Sequence, residues 1–172
     1  PSARKVEQGY LRLLHKAAGE FNPKMIIPIF YPEILAAHKA EFPGILIPVD
    51  SPEKILSLDD KISACGIVSG LGMDQPAIYH DIEEIKDYPV VFKRPLGQGG
   101  DSVYFPKTRT ALEHLLKTAD KVLITSFIEG ENISIDAIRW GNFFYAAAYR
   151  VLLPTWKGVS TLRESIDAPE LV

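Results

Sequence analysis

The segment Tyr88–Tyr104, YPVVFKRPLGQGGDSVY, decides how the rest of the chain is read. Val90, Val91 and Phe92 are β-branched or aromatic, so the run from Tyr88 to Pro95 suits a strand and carries Lys93 on it. Gly97-Gln98-Gly99-Gly100-Asp101 is a turn, because glycine reaches backbone angles that other residues avoid. Ser102 to Phe105 starts a second strand, so the whole reads as a hairpin with a glycine-rich tip. Glycines let backbone N–H groups approach phosphate oxygens, and a lysine supplies a compact positive charge. The order of these parts excludes three familiar phosphate sites. A Walker loop needs its lysine after the glycines. A dinucleotide fingerprint needs the glycines between a strand and a helix. A protein kinase places the glycine loop before the lysine strand. On its own the glycine turn fits an ordinary hairpin tip equally well.

Upstream, Val6, Tyr10, Leu13, Leu14 and Ala17 recur at helical spacing, and Asn22-Pro23 ends that helix. Met25 to Ile29 and Ile45 to Val49 read as short buried strands, with a helix from Tyr31 to Phe42 between them. Ser51-Pro52-Glu53 is a helix start, and Asp59-Asp60-Lys61 introduces a second helix, Ile62 to Leu71, closed by Gly72. Strands alternating with helices imply a parallel α/β layer. Lys61 on that second helix, taken by itself, reads as a solvated lysine. Asp81 to Lys86 looks like a short helix.

Downstream, Thr108 caps a helix to about Ala119, and Lys121 to Ile128 is a strand. Ile133 to Trp140 and Phe143 to Val151 form a hairpin through Gly141-Asn142. Asn132, Ser134 and Asp136 share one face of it. Pro154 to Val159 reads as loop, and Ser165 to Val172 as a polar tail without structure.

Composition sets outer bounds. The 172 residues suffice for one medium domain or two small ones. A formal net charge of −3 gives no footprint for nucleic acid or lipid. No apolar run spans a bilayer and no signal peptide is evident, so neither a membrane nor a nucleic-acid partner is expected. The single cysteine, Cys65, excludes an internal disulfide framework and fits a cytoplasmic setting.

Three segments together resemble the ATP-grasp superfamily, from about Met25 onward. They are IIPIFYPEILAAHKAEF with LDDKISACGIVSGLGMDQP, then YPVVFKRPLGQGGDSVY, then LITSFIEGENISIDAI. The closer flavour is that of carbamoyl-phosphate-synthetase-like members. The resemblance implies an α/β chain in three parts. Residues 1–75 would be the C-terminal part of a parallel α/β domain with the Lys61 helix. Residues 76–123 would be a small α+β lid, and 124–172 the start of a central antiparallel sheet.

It also implies site roles. Lys93 and Lys61 would contact ATP phosphates from opposite sides, and Gly97, Gly99, Gly100 and Ser102 would belong to the loop over them. Backbone groups of Ser126 and Ile128, with Phe127 between, would meet adenine. The usual ribose-binding glutamate falls on Asn132, with Glu131 as a substitute. Arg150, ending its strand, would lie near the acyl-phosphate oxyanion or else be a surface ion-pair residue. The implied chemistry is ATP-dependent carboxylate–amine (or thiol) ligation, with ATP and Mg²⁺ as cofactors and a small carboxylate as substrate. The alternative is a non-catalytic nucleotide-binding or regulatory module. Oligomeric state is left open, a dimer included. The family's Mg²⁺-binding Glu…Glu-x-Asn segment is expected beyond Val172. Glu164, Asp167 and Glu170 are read as loop, without the strand context of a metal site, so the metal ligands are unknown.

Overall fold

The computed structural model describes residues 3–97, 102–154 and 160–167. The chain forms two compact units, divided between Ile67 and Val68.

In the first unit, α1 (Ala3–Phe21) lays Tyr10, Leu11, Leu14 and Ala18 against a core of Leu35, Phe42 and Ile47. Leu13, expected in that stripe, is 66% exposed, and Leu11 packs instead. The packed face is thus turned by part of a helical step from the expected one. The helix expected from Tyr31 to Phe42 is split into α2 (Pro32–Ala37) and a 3₁₀ turn at Lys39–Glu41. The break is at His38, which leaves helical angles (φ −107°, ψ 14°). The two expected strands, 25–29 and 45–49, shrink to one parallel bridge, Met25 with Leu46. Ile26 N donates to Leu46 O and Leu46 N to Lys24 O, each at 2.9 Å. Pro28 and Pro48 lack the N–H that a longer ladder would need.

Capping follows the sequence closely. The Ser51 side chain accepts from Lys54 N at the start of α3 (Pro52–Asp59). Asp60 Oδ1 accepts from Ile62 N and Ser63 N, both at 2.9 Å, and so starts α4 (Lys61–Gly70). Gly72, at φ 68°, takes the left-handed turn after it.

An acid–histidine lattice fastens α1 to the turn. His38 Nε2 lies 2.9 Å from Glu7 Oε1, and its Nδ1 lies 2.6 Å from Glu41 Oε1. His15 Nε2 lies 2.8 Å from Glu41 Oε2, and its ring stacks on Phe42. Bonding to Glu41 and then Glu7 raises the His38 pKa, while bonding to His38 and then His15 lowers that of Glu41.

The second unit holds two antiparallel sheets. The first has strand order β1-β4-β2-β3, from β1 (Ile78–Tyr79), β2 (Val90–Lys93), β3 (Val103–Tyr104) and β4 (Leu123–Ser126). One face carries α5 (Arg109–Leu116), whose Leu112 is buried with Val90, Phe92 and Ile124. Thr108 caps α5 by accepting from Ala111 N, as its position suggested. α5 stops at Leu116, short of the expected Ala119. Arg109 joins it to the 3₁₀ turn at Ile82–Glu84: it donates to both oxygens of Glu83 and to Glu113 Oε1.

The second sheet is β5 (Ile133–Trp140), β6 (Phe143–Pro154) and β7 (Ser160–Ile166), in that order. Trp140 pairs with Phe143 across Gly141-Asn142, the two-residue turn read from sequence, with Gly141 at φ 55°. β7 corrects the expectation that Glu164 sits in a loop. The long β6 has a second edge to pair, and Ser160 to Ile166 pairs along it. Among the described residues no helix is long and apolar enough to cross a membrane.

Two outcomes follow from this packing. Leu112→Ala leaves a void under the first sheet and costs about 3 kcal/mol in denaturant unfolding. The His38 pKa is raised, so its contribution is complete below about pH 6.5 and is lost as pH rises through the folded value. The Glu41 pKa is lowered, so its contribution is complete above about pH 4.5 and is lost as pH falls through the folded value. Wild type minus His38→Gln stability is therefore largest near pH 5.5 and shrinks by pH 8.5. Melting curves of both proteins across that range check it.

Candidate functional site

The register of β2 against β4 sorts this region into two faces. Val90, Phe92 and Ile124 pack toward α5. Val91 pairs with Thr125 and Lys93 with Leu123, so these four belong to the opposite face. On that face Val91, Leu123 and Thr125 are buried and Lys93 is half-buried. Lys93 also pairs with Val103 of β3, which ties it to the far side of the glycine turn.

Two buried hydroxyls among the described residues have no hydrogen-bond partner: Tyr88 Oη and Thr125 Oγ1. Thr125 is 2% exposed and shares its face with Lys93. A buried hydroxyl left unpaired carries a desolvation cost of roughly 1–3 kcal/mol.

The glycine turn is described at its two ends. Gly97 has φ 141°, and a β-carbon there would stand 2.6 Å from Ser102 Oγ. Only glycine fits both demands. Ser102 is buried, and its carbonyl accepts from Arg94 N at 3.1 Å, closing the base of the hairpin. Gly99 and Gly100 lie outside the described residues.

β4 ends at Ser126, and the exposed Phe127 and Ile128 follow. Phe127 meets Phe105 edge-on at 6.0 Å. Ser126 N donates to Ala77 O at 2.9 Å, and Ser126 Oγ accepts from Ala77 N at 3.0 Å. The Ser126 side chain thus closes the edge of β4 beside β1. A cleft of about 280 Å³ opens here, lined by Tyr79, Asp87, Tyr88, Pro89, Ser126 and Phe127. A larger apolar groove, about 680 Å³, runs between Tyr104–Phe105 and α5. Tyr104 pairs with Phe92, so that groove lies on the helix side, away from the face of Lys93.

In the second sheet, register again divides the candidates. Ile133, Ile135 and Ala137 share a face with Arg150, Ala148 and Ala146. Ser134 and Asp136 share the other with Tyr149 and Ala147, and Asn132, two residues before Ser134, falls on it by alternation. Arg150 lies within β6, which runs on to Pro154, and does not end the strand as expected. Its Nε donates to Glu131 Oε2 at 3.3 Å and its Nη1 to Glu164 Oε2 at 3.1 Å. Those two carboxylates raise its pKa. Glu131, the substitute ribose residue, is therefore engaged by Arg150, on the face opposite Asn132. Lys61 belongs to the first unit, at the first position of α4. Sequence reading missed β1, Thr125 and the role of the Ser126 hydroxyl; a two-residue strand leaves no periodic signal. Among the described residues no three His, Cys, Asp or Glu side chains gather as a metal site.

Comparison with known proteins identifies the architecture. No family model matches the chain. Over 76 residues it is 33% identical to carbamoyl-phosphate synthase of Methanobrevibacter smithii, a match covering 44% of this chain and 19% of that protein. Among solved structures it superposes on L-amino acid ligase from Bacillus licheniformis with a TM-score of 0.64 and 16% identity, covering 95% of this chain and 42% of that one. The biotin carboxylase domain of Hydrogenobacter thermophilus 2-oxoglutarate carboxylase gives 0.60 at 18% identity, over 87% and 38% of the two chains. D-alanyl-alanine synthetase A of Vibrio cholerae gives 0.60 at 14%, over 83% and 52%. The chain thus spans about half, or less, of these relatives. The fold is that of ATP-grasp proteins.

Ser126→Ala removes the acceptor for Ala77 N–H and lowers stability by about 1 kcal/mol. Chemical denaturation of the two proteins measures it.

Proposed function

We propose that this chain is the nucleotide-holding part of an ATP-dependent ligase that activates a small carboxylate. The observation that carries the reading is the face shared by Lys93 and the unpaired Thr125 hydroxyl, at the base of a glycine turn. Its support among the structural relatives is a ligase, a synthetase and a carboxylase domain in complex with MgADP, ADP and bicarbonate. Residues 76–123 then serve as the lid, 124–172 as the start of the central sheet, and 1–75 as the preceding part with Lys61.

Each residue has a physical task. The Lys93 ammonium neutralises phosphate charge. Gly97, Gly99, Gly100 and Ser102 let the turn bring backbone N–H groups to phosphate oxygens. The backbone of Ser126 and Ile128 meets the adenine edge, with Phe127 between them. Asn132 accepts from a ribose hydroxyl; its amide makes a weaker contact than a carboxylate would. In the reaction a carboxylate oxygen attacks the γ-phosphorus and ADP leaves. An amine then attacks the acyl carbon, releases phosphate and gives up a proton. Catalysis is chiefly positioning and charge neutralisation.

Lys93→Ala should weaken ATP binding about tenfold or more, a loss of about 1.4 kcal/mol, in calorimetric titration. An unchanged affinity removes Lys93 from the site. Ile128→Pro should abolish binding, because proline removes the N–H offered to the adenine edge. Phosphate release from ATP with a panel of amino acids and amines separates ligation from nucleotide binding without turnover.

A further inference from the structure

The second sheet presents two chemically different faces, and a second arginine stands on the one that sequence reading left without a cation. One face carries Ile133, Ile135, Ala146 and Ala148, with Ala148 only 3% exposed, and beside them Arg150 with its partner Glu164. The other carries Asn132, Ser134, Asp136 and Tyr149, and across β6 also Arg163 and Ser165 of β7, with Ala147 opposite Asp136 and Val151 opposite Arg163. Polar side chains on adjacent strands of one face are suited to a polar ligand.

Arg163 is held in a defined pose on that face. It pairs with Val151 in register, yet its guanidinium reaches back over the central strand. Its Cζ lies 4.8 Å from the Tyr149 ring centroid, and its Nη1 donates to Asp136 Oδ2 at 3.1 Å on the far strand. The aromatic ring and the carboxylate together fix the guanidinium plane. A guanidinium has five donors in a fork, so one carboxylate contact leaves capacity for an oxyanion. Arg150 differs on each count. It lies on the opposite face, and its Nε and Nη1 already donate to two carboxylates, Glu131 and Glu164, which outweigh its charge.

We infer that Arg163 binds the phosphate chain of the nucleotide from the polar face of the second sheet, with Asp136 and Tyr149 as the residues that position it. The inference rests on the nucleotide-binding reading above and adds to it a residue outside the lysine–glycine turn. It also gives Arg150 another task, that of tying Glu131 and Glu164 across the sheet.

The test compares ATP with adenosine by calorimetric titration of the wild-type chain, Arg163→Gln and Arg163→Lys. Circular dichroism confirms that each variant is folded. Adenosine has the base and ribose but no phosphate, so the ratio of the two affinities isolates the phosphate contact. The expected result for Arg163→Gln is a loss of about tenfold for ATP with adenosine changed less than about twofold. Arg163→Lys, which keeps the charge but loses the fork, should lose about threefold for ATP alone. If the Gln variant does not fold, the Lys variant carries the test through the same ratio. An ATP-to-adenosine ratio equal to wild type in the folded variants overturns the inference and leaves the nucleotide reading standing. Equal losses for both ligands also overturn it, because they mark a structural role. A wild-type chain that binds neither ligand overturns the nucleotide reading and this inference with it.

Discussion

The antiparallel pairing of β2 with β4 is the constraint on which the site depends. Side chains alternate along a strand, so one pairing decides every residue's face at once. With Val91 opposite Thr125 and Lys93 opposite Leu123, the α5 side receives Val90, Phe92 and Ile124. A slip of one residue would bury Lys93 under α5 and turn Phe92 outward. Burial of Phe92 and Leu112, both fully enclosed, is what makes the slip costly. The apolar core therefore holds the lysine on the other face, and the hairpin base at Gly97 and Ser102 follows from the same register.

The second sheet repeats that logic with charge in place of apolar bulk. Each face has an arginine crossing strands to a carboxylate: Arg150 to Glu131 and Glu164, and Arg163 to Asp136. Exposed pairs of this kind contribute little to stability, typically about 0–1 kcal/mol each. Their value lies in fixing where the guanidinium groups stand. The two clamps are not equivalent, since Arg150 meets two carboxylates and Arg163 meets one carboxylate and the Tyr149 ring.

Much of this was legible in the sequence wherever a local rule governs. Ser51, Thr108 and the Gly141-Asn142 turn obey chemistry that acts over three or four residues, and the structure places each as read. What escaped depends on partners distant in the chain. β1 is two residues long and exists because β4 offers an edge to Ile78 and Tyr79. β7 looked polar, but it pairs with a strand that outruns β5. The strands read at 25–29 and 45–49 reduced to a bridge because prolines interrupt both. For the site, alternation showed Asn132, Ser134 and Asp136 on one face. It could not show which arginine joins them, because that is set by the pairing of β6 with β7.

The most direct measurement of the central claim is amide hydrogen exchange of the chain with and without ATP, read peptide by peptide. The account predicts slowed exchange in two segments distant in sequence, from Val90 to Tyr104 and from Thr125 to Asp136, with no comparable change in α1. Exchange unaltered by ATP, or slowed only in α1 and α2, would contradict it.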